Sequence, residues 1–207
     1  MRHGRTASNL QRVFLGRTDV PMDPLGVRQA GLVAAALAAE PHPDALLTSP
    51  LDRARATARL IADRIGVEPV VVPGLIEMDF GELEATPFDR LLRDYPDLAR
   101  RLMAADAPDA GWPGGETAAG FHRRVRATFD AILRDHPHES VIVVSHGGVL
   151  GSFLAQIQGR SPNEAAAYQV ANCSVTKLVV TRDHTAIHRL NDVAHLACLA
   201  AEPTKEE

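Results

Sequence analysis

The sequence predicts an α/β fold of three layers (α/β/α), a mainly parallel sheet with helices on both faces. Strand-type and helix-type patterns alternate along the chain, which is the signature of that class. The run Ser140-Val-Ile-Val-Val-Ser145 is continuously apolar, as a strand covered on both faces must be. The apolar run at 45–48 and the one at 140–145 each lead directly into helical spacing.

At 207 residues the chain is long enough for one well-buried domain and too short for two comfortable ones, so a single domain over 1–207 is expected. Its 45% apolar content fits a globular protein. The net charge of −4, with both signs interspersed, argues against nucleic-acid binding driven by bulk charge. It leaves room for a local cationic pocket. No apolar run reaches the length of a membrane span, and Arg2-His3-Gly4-Arg5 is not followed by the apolar segment of a signal peptide. Cys173 and Cys198 lack metal-ligand spacing and read as free thiols, so the cytoplasm is the expected location and no membrane partner is expected.

Residues 16–26 are rich in turn formers and read as a loop. Asp23-Pro24 supplies an N-cap and a proline at the first helical position, and a helix follows over 25–39 with Val27, Ala30, Ala34 and Leu37 on one side. A strand over 45–48 and a helix from Ser49-Pro50 to 65 come next, with Leu51, Ala54, Ala58, Ile61 and Ile65 at helical spacing. A second strand spans 67–72. Between 82 and 115 an insertion over one end of the sheet is expected, with helices over 88–94 and 97–105 and a Pro/Gly-rich loop over 107–115. A long helix covers 116–134. The strand over 140–145 passes through His146-Gly147-Gly148 into a helix whose Val149, Leu150, Phe153, Leu154 and Ile157 point inward. Strands over 174–181 and 185–190 form a hairpin through Arg182-Asp183-His184, and the charged tail from Glu202 reads as loose.

Ligands of open parallel sheets bind beyond the carboxyl ends of the strands. His146 lies at such an end and Arg53 shortly after another. A neutral imidazole is a good nucleophile toward phosphorus when other groups hold the phosphoryl oxygens. The opening Arg2-His3-Gly4-Arg5-Thr6, with Asn9 a turn later, offers an imidazole beside a planar fork of donors. Arg5, Thr6 and Asn9 add donors where the chain turns into a helix. Arg2, His3, Arg53, Glu77 and His146 are therefore the candidates for one site. Glu77, in a loop, is the best-placed acid for a leaving alcohol, provided burial or a neighbouring anion keeps it protonated. Each has a plainer reading: Arg53 a solvated charge, Glu77 an ordinary loop acid, His146 a core histidine. No Gly-x-Ser-x-Gly, Walker or His-Glu-x-x-His pattern is present, and neither His184/His188 nor His136/His138 reads as a metal site.

The chain resembles the histidine phosphatase superfamily, the phosphoglycerate-mutase-like proteins. The resemblance rests on Arg-His-Gly-Arg-Thr-Ala-Ser-Asn (2–9), the block at 16–30, and Thr-Ser-Pro-Leu-Asp-Arg-Ala at 48–54. It continues through Glu77 with Phe80-Gly81, Gly-Gly-Glu-Thr at 114–117, Ser-His-Gly-Gly at 145–148, and Asn172. It implies His3 as the phosphorylated nucleophile and Glu77 as proton donor. Arg2, Arg53 and His146 would complete the phosphate pocket, Asn9, Arg5, Thr6 and Gly147 would touch substrate, and neither metal nor organic cofactor is implied. Relatives usually carry an apolar strand ahead of Arg-His-Gly. Only Met1 precedes it here, so either the chain begins at a late start site or a central strand is missing. Arg5 stands where Glu or Gln is common, and Leu83-Glu84-Ala85 replaces Trp-Glu-Gly.

Within the family the choice lies between hydrolysis and mutase chemistry. The stretch after Gly81 offers no dense cationic cluster for a substrate carboxylate, although Arg90, Arg93, Arg100 and Arg101 are present, so a phosphatase of small phosphorylated metabolites is expected. Alternatives are an α-ribazole phosphatase of cobalamin synthesis, a phosphoglycerate mutase, and a non-catalytic phospholigand-binding protein. The expected partner is a small-molecule phosphomonoester, and many relatives pair as dimers, which leaves a homodimer open.

Overall fold

The computed structural model describes residues 1–11, 13–104, 110–181 and 184–200. In chain order the elements are α1 (Ala7–Gln11), β1 (Val13–Phe14), α2 (Pro24–Ala38), β2 (Ala45–Thr48), α3 (Asp52–Ile65), β3 (Pro69–Val71), β4 (Thr86–Pro87) and α4 (Phe88–Asp94). There follow α5 (Pro96–Met103), α6 (Ala118–Asp135), β5 (Val141–Val144), α7 (Gly147–Ile157), β6 (Val175–Val180), β7 (Thr185–Asp192) and α8 (Ala197–Ala200). The expected turn at 182–183, residue 105, the loop at 107–109 and the tail from 202 lie outside the described residues.

β2 is the middle of a parallel sheet, with β3 on one side and β5 on the other. Met1 to His3 run along the far side of β5. The Met1 nitrogen donates to Val143 O (2.7 Å), Ser145 N to Met1 O (3.0 Å) and His3 N to Ser145 O (2.9 Å). Arg2 and Ser145 form a parallel bridge. The strand whose absence the sequence raised is thus represented by these few residues, and their pairing aims His3 past the carboxyl end of β5. β6 and β7 form an antiparallel hairpin.

Alternation along β2 assigns the two faces. Leu46 joins Val33 and Ala34 of α2 and Ala54, Ala58 and Ile61 of α3 in one buried cluster. Leu47 joins Phe121, Val125 and Phe129 of α6 and Val149 and Phe153 of α7 in another. On β5, Ile142 packs on the first cluster and Val141 and Val143 on the second, so the strand is covered on both faces as its composition requires. The fold is therefore three-layered, with α2 and α3 on one face and α6 and α7 on the other.

Local chemistry sets the helix ends. The Asp23 carboxylate accepts from Gly26 N (2.7 Å), with Pro24 opening α2. Val27 corrects the expected inner face of that helix: it is 47% exposed, and Gly26, Ala30, Val33 and Ala34 are the buried positions. The Thr117 hydroxyl accepts from Gly120 N (2.9 Å) and caps α6. The helix therefore starts at Ala118 rather than at 116, which leaves the Glu116 side chain outside the helix.

The segment after Gly81 builds a small cluster of its own. β1 pairs antiparallel with β4, and Leu83, Leu91 and Ala99 form a small cluster with Phe14 and Trp112. Among the described residues no helix is long and apolar enough to cross a membrane.

Candidate active site

The segments that leave the carboxyl ends of the parallel strands bring the two histidines together. His3 and His146 are buried, their ring centroids 5.1 Å apart at 57°. The two residues are far apart in sequence, and the sheet brings them together by placing Met1 to His3 beside β5. His3 Nδ1 sits 2.7 Å from Gly4 O. A carbonyl can only accept, so Nδ1 carries the proton and Nε2 keeps its lone pair. Burial, then the charges of Arg2 and Arg53, hold His3 well below the ordinary imidazole range, and the ring is neutral at pH 7.

His146 caps α7 and points Nε2 at Ser49 Oγ (2.6 Å), while its Nδ1 is buried without a partner. Burial, then the neighbouring His3, Arg53 and Arg2, hold it well below the ordinary range as well. A neutral His146 that accepts from Ser49 at Nε2 has its proton on Nδ1, free to donate to a ligand oxygen.

Two guanidinium groups complete the floor. Arg53, only 1% exposed, donates through its two terminal nitrogens to Thr18 O (2.9 Å) and Gly16 O (2.7 Å). Arg2 donates to Val170 O (2.7 Å) and lies against Gly147, where a Cβ would come within 3.6 Å of its Cζ. The Nε of each is buried with no partner. Orphaned donors of this kind are costly in a folded core unless something else satisfies them. A tetrahedral anion matches the set.

Glu77 stands over this floor. Its carboxylate accepts from Gly148 N (2.9 Å) and from Met78 N (2.8 Å). A Cβ on Gly148 would approach Glu77 Oε1 to 2.5 Å, so glycine is what lets the acid sit against the start of α7. Sequence reasoning had no role for Arg124 and Glu116, although the Gly-Gly-Glu-Thr block was a visible signal for the latter. Burial works against the Glu116 charge, yet hydrogen bonds from Arg124 and Asp79 N with the charges of Arg124 and Arg17 hold its carboxyl below the usual range. Ser49 was also missed as a partner of His146, having been read only as a helix start.

The structure brings His3, His146, Arg2, Arg53 and Glu77 together, with Gly147 beside Arg2. The remaining candidates support the loop. The Asn9 Oδ1 atom accepts from Thr6 N (3.0 Å), Thr6 Oγ1 (3.2 Å) and Asn172 Nδ2 (3.2 Å), and Asn172 also donates to His3 O. Thr6 is fully buried. Arg5 Nε pairs with Asp23 at 2.8 Å, which joins the opening loop to the cap of α2.

A buried imidazole pair, two guanidinium groups and a carboxyl beside them, on a three-layer α/β frame, make a hollow whose donors suit a tetrahedral anion. A profile of the Histidine phosphatase superfamily (branch 1) matches residues 1–193, and the chain belongs to that family. A protein of Yersinia enterocolitica named probable phosphoglycerate mutase GpmB is 33% identical over 178 residues, 86% of this chain and 82% of the relative. The structure of a putative α-ribazole-5′-P phosphatase from Escherichia coli superposes with a TM-score of 0.83 at 27% identity, covering 93% of this chain and 94% of the other. A phosphoserine phosphatase from Entamoeba histolytica in complex with 3-phosphoglyceric acid gives a TM-score of 0.83 at 26% identity, with 94% and 96% covered. These relatives carry the names of phosphatases and a mutase, which supports an enzyme here.

Proposed function

We propose that the chain is a phosphomonoesterase that hydrolyses small phosphorylated metabolites through a phosphohistidine at residue 3. One observation carries the reading: a buried, neutral His3 whose Nδ1–H is tied to Gly4 O, facing a second neutral imidazole, beside guanidinium groups with orphaned Nε atoms. The phosphoryl oxygens sit among Arg2, Arg53 and the Nδ1–H of His146. His3 Nε2 attacks phosphorus, the P–O bond to the alcohol breaks, and Glu77 gives the alcohol oxygen its proton. Water then attacks the phosphoryl group, the P–N bond breaks, and Glu77 takes the proton of the water. His3 returns to its neutral form and inorganic phosphate leaves.

Hydrolysis rather than mutase chemistry is supported by the rim. Arg90, Arg93 and Arg100 each lie beside an aspartate of their own helix (Asp94, Asp89 and Asp97), which offsets their charge toward a substrate carboxylate. Mutase activity is the second reading, favoured by the Yersinia relative's name. A panel of phosphomonoesters, scored for inorganic phosphate and for transfer to a phosphoglycerate, separates them. Release of phosphate from panel members without transfer supports the phosphatase. Interconversion of phosphoglycerates without net phosphate release overturns it in favour of the mutase, and binding without any turnover overturns both.

A further inference from the structure

We propose that Arg124 is the positioning residue for the Glu77 carboxyl, and that Glu116 holds Arg124 in that task. The inference rests on reading Glu77 as the proton donor. Arg124 projects from α6, and all five of its N–H donors are used. Nε and one terminal nitrogen grip the two oxygens of Glu116 (2.8 Å each). The other three bonds go to carbonyls of the acid-bearing segment: Gly74 O (2.9 Å), Ile76 O (2.8 Å) and Glu77 O (3.2 Å).

Leu75 anchors that segment in the core beside Leu47 and Phe121, and the hydrogen bonds of Arg124 set the direction of the backbone that follows. Beyond the short 3-10 turn at Pro73–Leu75 the segment belongs to no strand or helix, and Ser145 Oγ donates to Leu75 O (2.9 Å) as a further side-chain tether. It also lies hard against α6, where a Cβ on Gly74 would come within 2.1 Å of Thr128 Oγ1. The planar fork of an arginine fixes several acceptors in direction as well as distance, which a lysine ammonium cannot do. Glu116 is fixed in turn by Asp79 N (3.0 Å) and by Arg17 (3.3 Å). The backbone of Glu77 is therefore set from one side by Arg124 and its carboxylate from the other by Gly148 N. A displacement of about 1 Å at a reacting group costs on the order of a hundredfold in rate. Arg124 touches neither phosphate nor alcohol in this scheme.

The test compares phosphate release from an alkyl phosphate and from p-nitrophenyl phosphate, whose leaving group hardly needs a proton. Wild type, Glu77→Gln, Arg124→Lys and Glu116→Gln are assayed side by side. The quantity read is the ratio of the two kcat values, which does not depend on how much of a preparation is folded. Glu77→Gln tests the proton-donor reading itself and lowers the alkyl-to-aryl ratio by about 10²-fold or more, the range of general acid catalysis. Arg124→Lys is expected to lower the ratio by about tenfold to a hundredfold with KM changed less than about threefold, and Glu116→Gln by a smaller factor in the same direction. A selective loss in Glu77→Gln with an unchanged ratio in Arg124→Lys overturns the positioning role and leaves the acid in place. Equal losses on both substrates in Glu77→Gln remove the acid, and the inference with it.

Discussion

At the floor of the site, His3, His146 and Arg53 are buried, and Arg2, Arg53 and His146 each keep a polar atom with no protein partner. On α4 and α5, which form the rim in our reading, Arg90, Arg93 and Arg100 are exposed and each has found an aspartate on its own helix. The two regions hold the same kinds of residue and treat them in opposite ways. Unsatisfied donors in a dry pocket interact strongly with an arriving anion, because little water competes and no protein bond has to be broken. Satisfied donors in water add little to binding. The difference teaches that arginine content does not locate a phosphate site; the burial and missing partners of particular arginines do.

The contrast is broken most severely at the floor. Arg53→Met removes one of the two floor guanidinium groups whose Nε has no partner and is expected to lower kcat/KM by about two to three orders of magnitude, as loss of a transition-state donor does, in steady-state phosphate release. Ser49→Ala leaves His146 Nε2 buried and unpartnered at the position where it meets Ser49 Oγ. Chemical denaturation is expected to show a loss of about 1–3 kcal/mol, with kcat reduced by about tenfold as the ring loses its orientation.

The pH dependence follows from the same burial. Both imidazoles have native pKa values well below 6.5, so below about pH 6.5 the unfolded chain binds protons that the native state does not. The buried Met1 amine, held down to about 5 by burial, widens this window, so stability rises with pH up to about 8 and is lost as pH falls beneath it. Thermal melts in the absence of phosphate are expected to decline gently from about pH 8 downward and more steeply below about 6.5, the steep part being reduced in His3→Asn. The smallest effect belongs to the rim. Arg90→Ala removes one exposed i,i+4 ion pair, and the melting temperature and phosphate release are expected to stay within about 2 °C and about twofold of wild type.

Much of this was legible in the sequence because the floor is made of local words. Ser-His-Gly-Gly and the arginine after Ser-Pro each sit where a strand ends, and an apolar run marks those strands even though they are short. What was not legible depends on long-range pairing. Arg124 and the carbonyls it holds lie 47–50 residues apart, and Ser49 and His146 lie 97 apart, so no spacing rule connects them. The pairing of Met1 to His3 with β5 escaped for a different reason: so few residues carry no periodicity, and only hydrogen bonds reveal the strand. Arg5 looked like one more donor for substrate because its aspartate partner is 18 residues away.

The most direct test is to mix enzyme with a 32P-labelled phosphomonoester, quench within one turnover and map the label. The account predicts an acid-labile, base-stable phosphoryl group on His3, formed before free phosphate appears and absent from His3→Ala, which also loses turnover. Phosphate released at full rate with no protein-bound label, or a His3→Ala variant that still turns over normally, would contradict it.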